Sequence, residues 1–353
     1  MRDRKVDDPT TVAKLFVNLG ALHYHHNHFS QKRIRMTKWQ MQTPVAFFIF
    51  NRPDTTARVF EAIRKAAPPR LLVIADGPRA GREGEAEKCV AARAIVSDVD
   101  WPCQVLLNFS DVNLGCKRRV SSGLDWVFET VEEAVILEDD CVPEPSFFRF
   151  CDELLEKYRG EDRVAMISGN NFHGDSVRVA ESYYFSRRPH IWGWAAWRRS
   201  WQRYDVEMKS WPQVKKSGWL RQLFPERRLA RYWRVIFDAV FRGDVDTWDH
   251  QLTYCCFLNG RLCVMPAVNL VSNIGFDQDA THTKAVTEHA NLPTKAIAFP
   301  LLHPREMKRN VLLDSQLEDS LSMPLHQALL LGNTVARLRR LMRVRRYSFC
   351  SRT

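Results

Sequence analysis

PVAFFIFNRPDTTARVFEAIRKAAPPRLLVIADG, residues 44–77, decides the fold class. PVAFFIF is a continuous apolar run of the length expected for a strand buried on both faces. Asn51-Arg52-Pro53-Asp54 breaks the run. TTARVFEAIRKA then sets Val59, Phe60 and Ile63 on one helical face, with Asp54 or Thr55 available as N-cap and Pro68-Pro69 as the stop. RLLVIADG is a second buried strand that ends at Asp76-Gly77. Strand, helix and strand in so short a span form the crossover unit of a parallel sheet.

The pattern continues in both composition and spacing. Residues 83–99 are helical in composition, CQVLLNF is a third strand, and residues 116–130 put Val120, Leu124, Val127 and Phe128 on one helical face. AVILEDDCVPEP, residues 134–145, carries a fourth buried strand directly into Glu138-Asp139-Asp140 and a proline-rich turn. Beyond Pro145 the sequence predicts a helix over 146–159, a short strand VAMISG, and helices over 228–241 and 248–258. A single strand, RLCVMPAVNLVSN, then leads into Gly275. The Trp-rich stretch from Trp192 to Trp211 has no readable period. The expected organisation is an N-terminal extension over 1–40, one α/β domain over 41–295 with a central mostly parallel sheet flanked by helices, and a C-terminal tail over 296–353 with an amphipathic helix around 324–344.

Bulk properties set limits on function. The 353-residue chain is 45% apolar and 26% charged, ordinary for a globular protein and against disorder throughout. No run of about eighteen apolar residues exists, and the first ten residues lack the apolar core of a secretory signal, so the expected location is the cytoplasm. Nine cysteines, never spaced C-x-x-C, argue against a disulfide framework or a structural zinc site and fit reduced thiols. His23, His25, His26 and His28 have no carboxylate or cysteine beside them and read as an inert tract. The formal charge of +11 biases the surface towards anionic partners. Residues 336–353, ARLRRLMRVRRYSFCSRT, hold seven arginines and no acid.

In open parallel sheets ligands bind beyond the carboxyl ends of the strands. Arg52 follows the first strand, Asp76 the second, Asn113 to Arg119 the third, and Glu138-Asp139-Asp140 the fourth. Any one of these alone reads as a solvated loop charge. Three adjacent carboxylates closing an apolar strand, however, repel one another unless a cation or donors offset them, and a divalent ion bridging to phosphate oxygens would do so.

The order FFIFNRPDTTARVFEAIRKAAP, VIADG, NLGCKRRVSSGLDWVF, AVILEDDCVPEPSFFRF, HIWGWAAW and TWDHQ resembles GT-A glycosyltransferases. The pattern is that of the animal N-acetylglucosaminyltransferase that initiates complex N-glycans and of bacterial glycosyltransferase-like proteins of surface-polysaccharide synthesis. The resemblance covers residues 43–285. It implies sugar transfer from a nucleotide-diphosphate donor, UDP-linked by preference, to a saccharide or lipid-linked acceptor. Arg52 and Asp76 would hold uracil and ribose, and Lys117 or Arg118 would sit near the base or phosphates. Asp140 would be the direct ligand of Mn2+ (or Mg2+), with Asp139 and Glu138 towards ribose and sugar and His282 as a second metal ligand. Trp194, in the segment that shapes the sugar pocket, would pack on a pyranose face, although core packing explains it equally well. Asp249 would be the general base of an inverting reaction. His250 and Asp246 compete with it, and a helix N-cap is the bland role for either aspartate.

Two other readings share these features. A nucleotidyltransferase that builds sugar nucleotides uses the same sheet, but would carry a Gly-rich loop after the first strand where this chain has NRPDTT. The second is a non-catalytic membrane- or nucleic-acid-binding protein driven by the basic tail: the alternation of Leu, Met and Val with Arg over 336–346 suits an interfacial helix on anionic lipid, which would equally place an enzyme peripherally at the inner face of a membrane, and no specific nucleic-acid partner is expected.

Overall fold

The chain divides into two compact units, Met1–Lys38 and Trp39–Thr353. A computed structural model describes residues 39–174, 179–275 and 290–319, all within the second unit. The expected extension and the arginine-rich tail therefore lie outside the described residues, as does His282.

The opening strand–helix–strand unit forms as the sequence predicts. β1 (Val45–Ile49), α1 (Pro53–Ala66) and β2 (Arg70–Ala75) follow in order, and β1 is buried throughout. Then come α2 (Glu85–Ile95), β3 (Gln104–Phe109), α3 (Gly115–Thr130) and β4 (Glu133–Glu138). β1 pairs in parallel with both β2 and β4, and β2 with β3. β3 is one of the two edge strands, which is why its apolar pattern is half exposed. Helix α3 packs close to the sheet. A Cβ on Gly123 would lie 2.7 Å from Phe48 Cε1 and 2.9 Å from Ile74 Cγ2, so glycine sets the distance between the layers.

The second half completes the sheet. β5 (Cys141–Pro143), α4 (Ser146–Lys157), β6 (Val164–Ser168), β7 (Tyr183–Ser186) and β8 (Trp194–Trp197) follow, then α5 (Arg198–Trp201), α6 (Trp211–Lys216), α7 (Trp219–Leu223), α8 (Arg227–Phe241), α9 (Asp249–Leu258), β9 (Leu262–Pro266) and β10 (Val271–Asn273). The large sheet runs β3-β2-β1-β4-β8-β6-β9-β7. Strand β8 is antiparallel to β4 and β6, β9 is parallel to β6, and β7 is antiparallel to β9. The architecture is the expected one: α/β, with a central, mostly parallel sheet flanked by helices.

Three expectations about elements change. RLCVMPAVNLVSN is two strands in different sheets, because after β9 the chain turns and β10 pairs antiparallel with β5 instead. β7 has no counterpart in the sequence reading. The tail expected from residue 296 instead packs on the domain as far as the description extends. Ile297, Leu301 and Leu313 belong to the main core, and residues 311–319 are helical. That helical segment is held by charge as well. Arg187 grips Glu318 with contacts of 2.9 Å to both oxygens, and Asp314 accepts from the Ser186 hydroxyl at 2.5 Å and the Arg187 N–H at 3.2 Å. A second apolar cluster, centred on Trp211, Phe224, Trp233 and Phe237, holds α6, α7 and α8 against α9. Of the described cysteines, seven are free thiols as expected and Cys116 is disulfide-bonded.

Candidate functional site

The site is built where β1 and β4 end side by side. Phe48 and Glu138 are register partners, so the loop after β1 and the acidic triplet emerge together. Arg52 reaches across this junction as a fork. Its Nη1 donates to Asp140 Oδ2 at 3.1 Å and its Nη2 to Asp139 Oδ1. The other Asp139 oxygen accepts the Phe50 N–H at 3.2 Å. Both aspartates are wholly buried, whereas the Arg52 side chain keeps 23% of its surface. Burial works against the Arg52 charge, yet the carboxylates of Asp139 and Asp140 outweigh it and hold the guanidinium above its ordinary value. Burial pushes the Asp139 carboxyl up, with Arg52 opposing and Asp140 adding to it. The cation that the triplet requires is thus supplied from within the chain, by a residue four positions after the register partner of Glu138.

The small β5–β10 sheet brings another segment onto this pair. Asn273 is in register with Cys141, the Ile274 N–H donates to the Asp140 carbonyl at 2.8 Å, and Gly275 follows. A Cβ on Gly275 would lie 2.1 Å from Asp140 Oδ2 and 2.8 Å from Arg52 Nη1. Only glycine lets the chain pass over the carboxylate here.

Manganese or magnesium, expected at Asp140, can be tested against these residues. Asp140 gives one oxygen to Arg52 and the other to the Cys141 thiol at 3.4 Å. Among the described residues no three His, Cys, Asp or Glu side chains converge as a metal site. The described residues by themselves do not fit a resident ion while Arg52 holds its place.

Asp76 is engaged by donors of the chain itself. Its carboxylate accepts the backbone N–H of Gly77 at 3.0 Å, of Leu114 at 2.9 Å and of Gly115 at 3.2 Å, and the Asn113 amide at 3.0 Å. α3 has no side-chain cap of its own, so Asp76 supplies one from the neighbouring loop, next to the positive end of the helix dipole. Burial pushes its carboxyl above the ordinary range even though the Leu114 and Gly77 donors pull the other way. Two arginines brace this loop: Arg93, which no motif marked, and Arg119, the last of the polar run named after the third strand. Arg93 donates to the carbonyls of Asp76 and Ser110 at 2.9 and 2.7 Å, and buried Arg119 donates to the Asn108 side chain at 2.8 Å. Asp76→Ala is expected to destabilise the protein by about 2–3 kcal/mol, because buried N–H donors lose their acceptor. Urea unfolding reads this directly, and an unchanged midpoint would show that the loop is held by other contacts. Of the two cations expected near the nucleotide, Lys117 pairs with Glu207 at 3.1 Å and Arg118 is exposed.

Trp194 and Asp249 belong to one assembly. Trp194 is in register with Ile136, two residues before Glu138, and its ring stacks on Trp248 at 5.9 Å between centroids. Asp249 follows as the first residue of α9. Trp194 is 1% exposed with one face covered by Trp248, so it packs as core and links the triplet strand to the turn that carries Asp249. Asp249 is 3% exposed, accepts from the Thr247 hydroxyl, and has His250 Nδ1 at 4.0 Å. Asp246 points elsewhere, towards the start of α3, where its Oδ2 would lie 3.1 Å from a Cβ on Gly115. Beyond β6, Asn170 is fully buried. Its Oδ1 accepts the Trp192 N–H at 2.9 Å, and its Nδ2 has no partner among the described residues. No motif pointed to Asn170. The signal was available in SGNN at the carboxyl end of an apolar strand.

No family model matches the chain, and no curated protein matches it. Among solved structures it is similar to a UDP-glucose pyrophosphorylase complexed with UDP-glucose, at TM-score 0.24 and 12% identity over 42% of this chain and 63% of that one. It is also similar to the inositol-1-phosphate CTP transferase from T. maritima, at TM-score 0.22 and 12% identity over 43% and 57%. The match spans less than two thirds of either protein, and likeness at this level adds nothing to the argument from the site.

Proposed function

We propose that the protein is a glycosyltransferase that takes a sugar from a nucleotide-diphosphate donor, UDP-linked by preference, and passes it to a hydroxyl of a saccharide or lipid-linked acceptor with inversion. The observation that carries this reading is the fork of Arg52 on the buried triplet at the carboxyl ends of the parallel strands β1 and β4; Trp194 on the next strand stacks on Trp248, the residue before Asp249. In the proposed reaction the acceptor hydroxyl loses its proton to an Asp249 oxygen as its own oxygen attacks C1 of the sugar. The bond from C1 to the diphosphate oxygen breaks, and the electron pair leaves with the diphosphate. Arg52 keeps part of its surface open, and its guanidinium is the group in this cluster suited to meet the departing charge. The resemblance to GT-A enzymes supports the same assignment, and the absence of glycine in NRPDTT weighs against a nucleotidyltransferase. Manganese or magnesium is a separate proposal, and no step above depends on it.

Thermal shift with a panel of UDP-, GDP-, CMP- and TDP-sugars tests the reading, on the wild type and on Asp140→Ala, with manganese or with chelator. One nucleotide class is expected to raise the wild-type Tm and to lose that effect in the variant. Loss of the shift with chelator would support the ion. No shift with any donor would sink the reading, and turnover of a nucleoside triphosphate with a sugar phosphate, releasing pyrophosphate, would replace it with the nucleotidyltransferase.

A further inference from the structure

Three arginines share one carboxylate at the amino ends of β6 and β9. Val164 and Leu262 are register partners, so the residues that precede them, Arg163 and Arg261, enter neighbouring strands at one level. β8 runs the other way and delivers Arg199, in α5, and Arg203 to the same edge. Asp162 Oδ2 accepts from Arg203 Nη2 at 3.4 Å. Its Oδ1 lies 3.4 Å from Arg261 Nη2 and 3.7 Å from Arg199 Nη1. The other acids of this edge are engaged elsewhere. Glu161 is taken by the Arg163 guanidinium at 2.9 and 2.7 Å, and Glu133 and Glu156 are both held by Arg159.

The cations are fixed and the carboxylate is not. Arg199 donates to the carbonyls of Tyr158, Arg159 and Val164 at 2.8, 3.1 and 3.0 Å, and its guanidinium lies 4.2 Å over the Trp197 ring. Arg261 keeps only 5% of its side-chain surface, and among the described residues Asp162 is its one ionic partner. Asp162 itself is 66% exposed, so its ion pairs are screened and easily exchanged. Burial first and then Arg261 hold the Arg199 guanidinium below its ordinary value, and burial first and then Arg203 do the same to Arg261; Asp162 opposes both. A small cavity lined by Ser200, Cys255 and Arg261 reaches this cluster, and the Ser200 hydroxyl has no hydrogen-bond partner among the described residues.

We propose that this cluster is an anion site, in which a phosphoryl group takes the place of the Asp162 carboxylate between Arg199, Arg203 and Arg261. A phosphoryl group brings more charge than a carboxylate and three acceptor oxygens, and guanidinium forks match that geometry. β4 and β6 are both antiparallel to β8 and so run the same way, which puts the triplet and these arginines at opposite edges of the sheet. The site is therefore separate from the proposed donor site, and its test does not depend on the transferase reading.

The test is calorimetric titration of the full chain with orthophosphate at constant ionic strength, on the wild type, Arg203→Gln and Asp162→Asn. Both side chains are exposed, so both variants are expected to fold. Saturable binding to the wild type is expected. Arg203→Gln should weaken it about tenfold, the scale of one hydrogen bond to a charged group. Asp162→Asn should tighten it about fivefold, because the incoming anion no longer has to break exposed ion pairs. Any donor-induced Tm shift should be the same in all three proteins. Short-chain phosphatidic acid below its micelle concentration is the second probe. Heat with orthophosphate assigns the site to a free phosphate-bearing ligand, and heat with phosphatidic acid alone assigns it to a lipid headgroup. No saturable heat with either probe in the wild type and Asp162→Asn would overturn the proposal. So would an Arg203→Gln protein that binds as tightly as the wild type, or an Asp162→Asn protein that binds more weakly.

Discussion

Arg52→Ala is expected to destabilise the fold by about 3–5 kcal/mol, the range for removing one partner of a buried ion pair. The size follows from burial. Asp139 and Asp140 are fully enclosed, and after the substitution two adjacent carboxylates remain with one backbone N–H and one thiol as their described donors. Urea unfolding measures the loss, and Arg52→Lys should fall between, since a point charge can approach one carboxylate but cannot fork to both. The same variant separates internal from external cations. Manganese is expected to leave the donor-free wild type unchanged while the guanidinium occupies the carboxylates, and to recover part of the lost stability in Arg52→Ala. A midpoint within 0.5 kcal/mol of the wild type, taking that as the order of a neutral surface change at about ±0.5 kcal/mol, would mean that Arg52 is not the counterion of the triplet.

The second large effect is on rate. Asp249→Asn is expected to lower kcat by about 10²–10⁴, the range for loss of a general base, with donor binding unchanged. Asparagine keeps an oxygen to accept the Thr247 hydroxyl at the start of α9, so the unfolding midpoint should barely move. His250→Ala and Asp246→Asn are the comparisons. His250 sits 4.0 Å from Asp249 and Asp246 leans on the start of α3, so neither is expected to reproduce the loss. If either does, the base has been placed on the wrong residue.

The parts of this fold visible in the sequence are the long apolar runs and the helical periods set off by breakers. β1, α1 and β2 stand between clear breakers, and the structure reproduces them. β8 was opaque because its four buried residues, Trp194 to Trp197, are too short a run to stand out inside a Trp-rich stretch, where the longer β1 run of equal burial did. RLCVMPAVNLVSN looked continuous because both of its strands are apolar, and only pairing shows that one belongs to a different sheet. At the site, position relative to strand ends found Arg52, Asp76 and the triplet. It did not find what they do to one another. That Arg52 neutralises two carboxylates 87 and 88 positions along the chain, and that Asp76 caps a helix 38 positions away, are properties of approach in space.

The grip of Arg187 and Ser186 on Glu318 and Asp314 also says where the chain can be shortened. Composition suggests a cut near residue 295, yet a protein ending there would lose Leu313 from its core, Glu318 from the Arg187 guanidinium that lies 3.9 Å over the Phe224 ring, and Asp314 from the Ser186 hydroxyl and the Arg187 backbone N–H. Shortened versions meant for crystals should therefore keep residue 319 and begin their trimming beyond it.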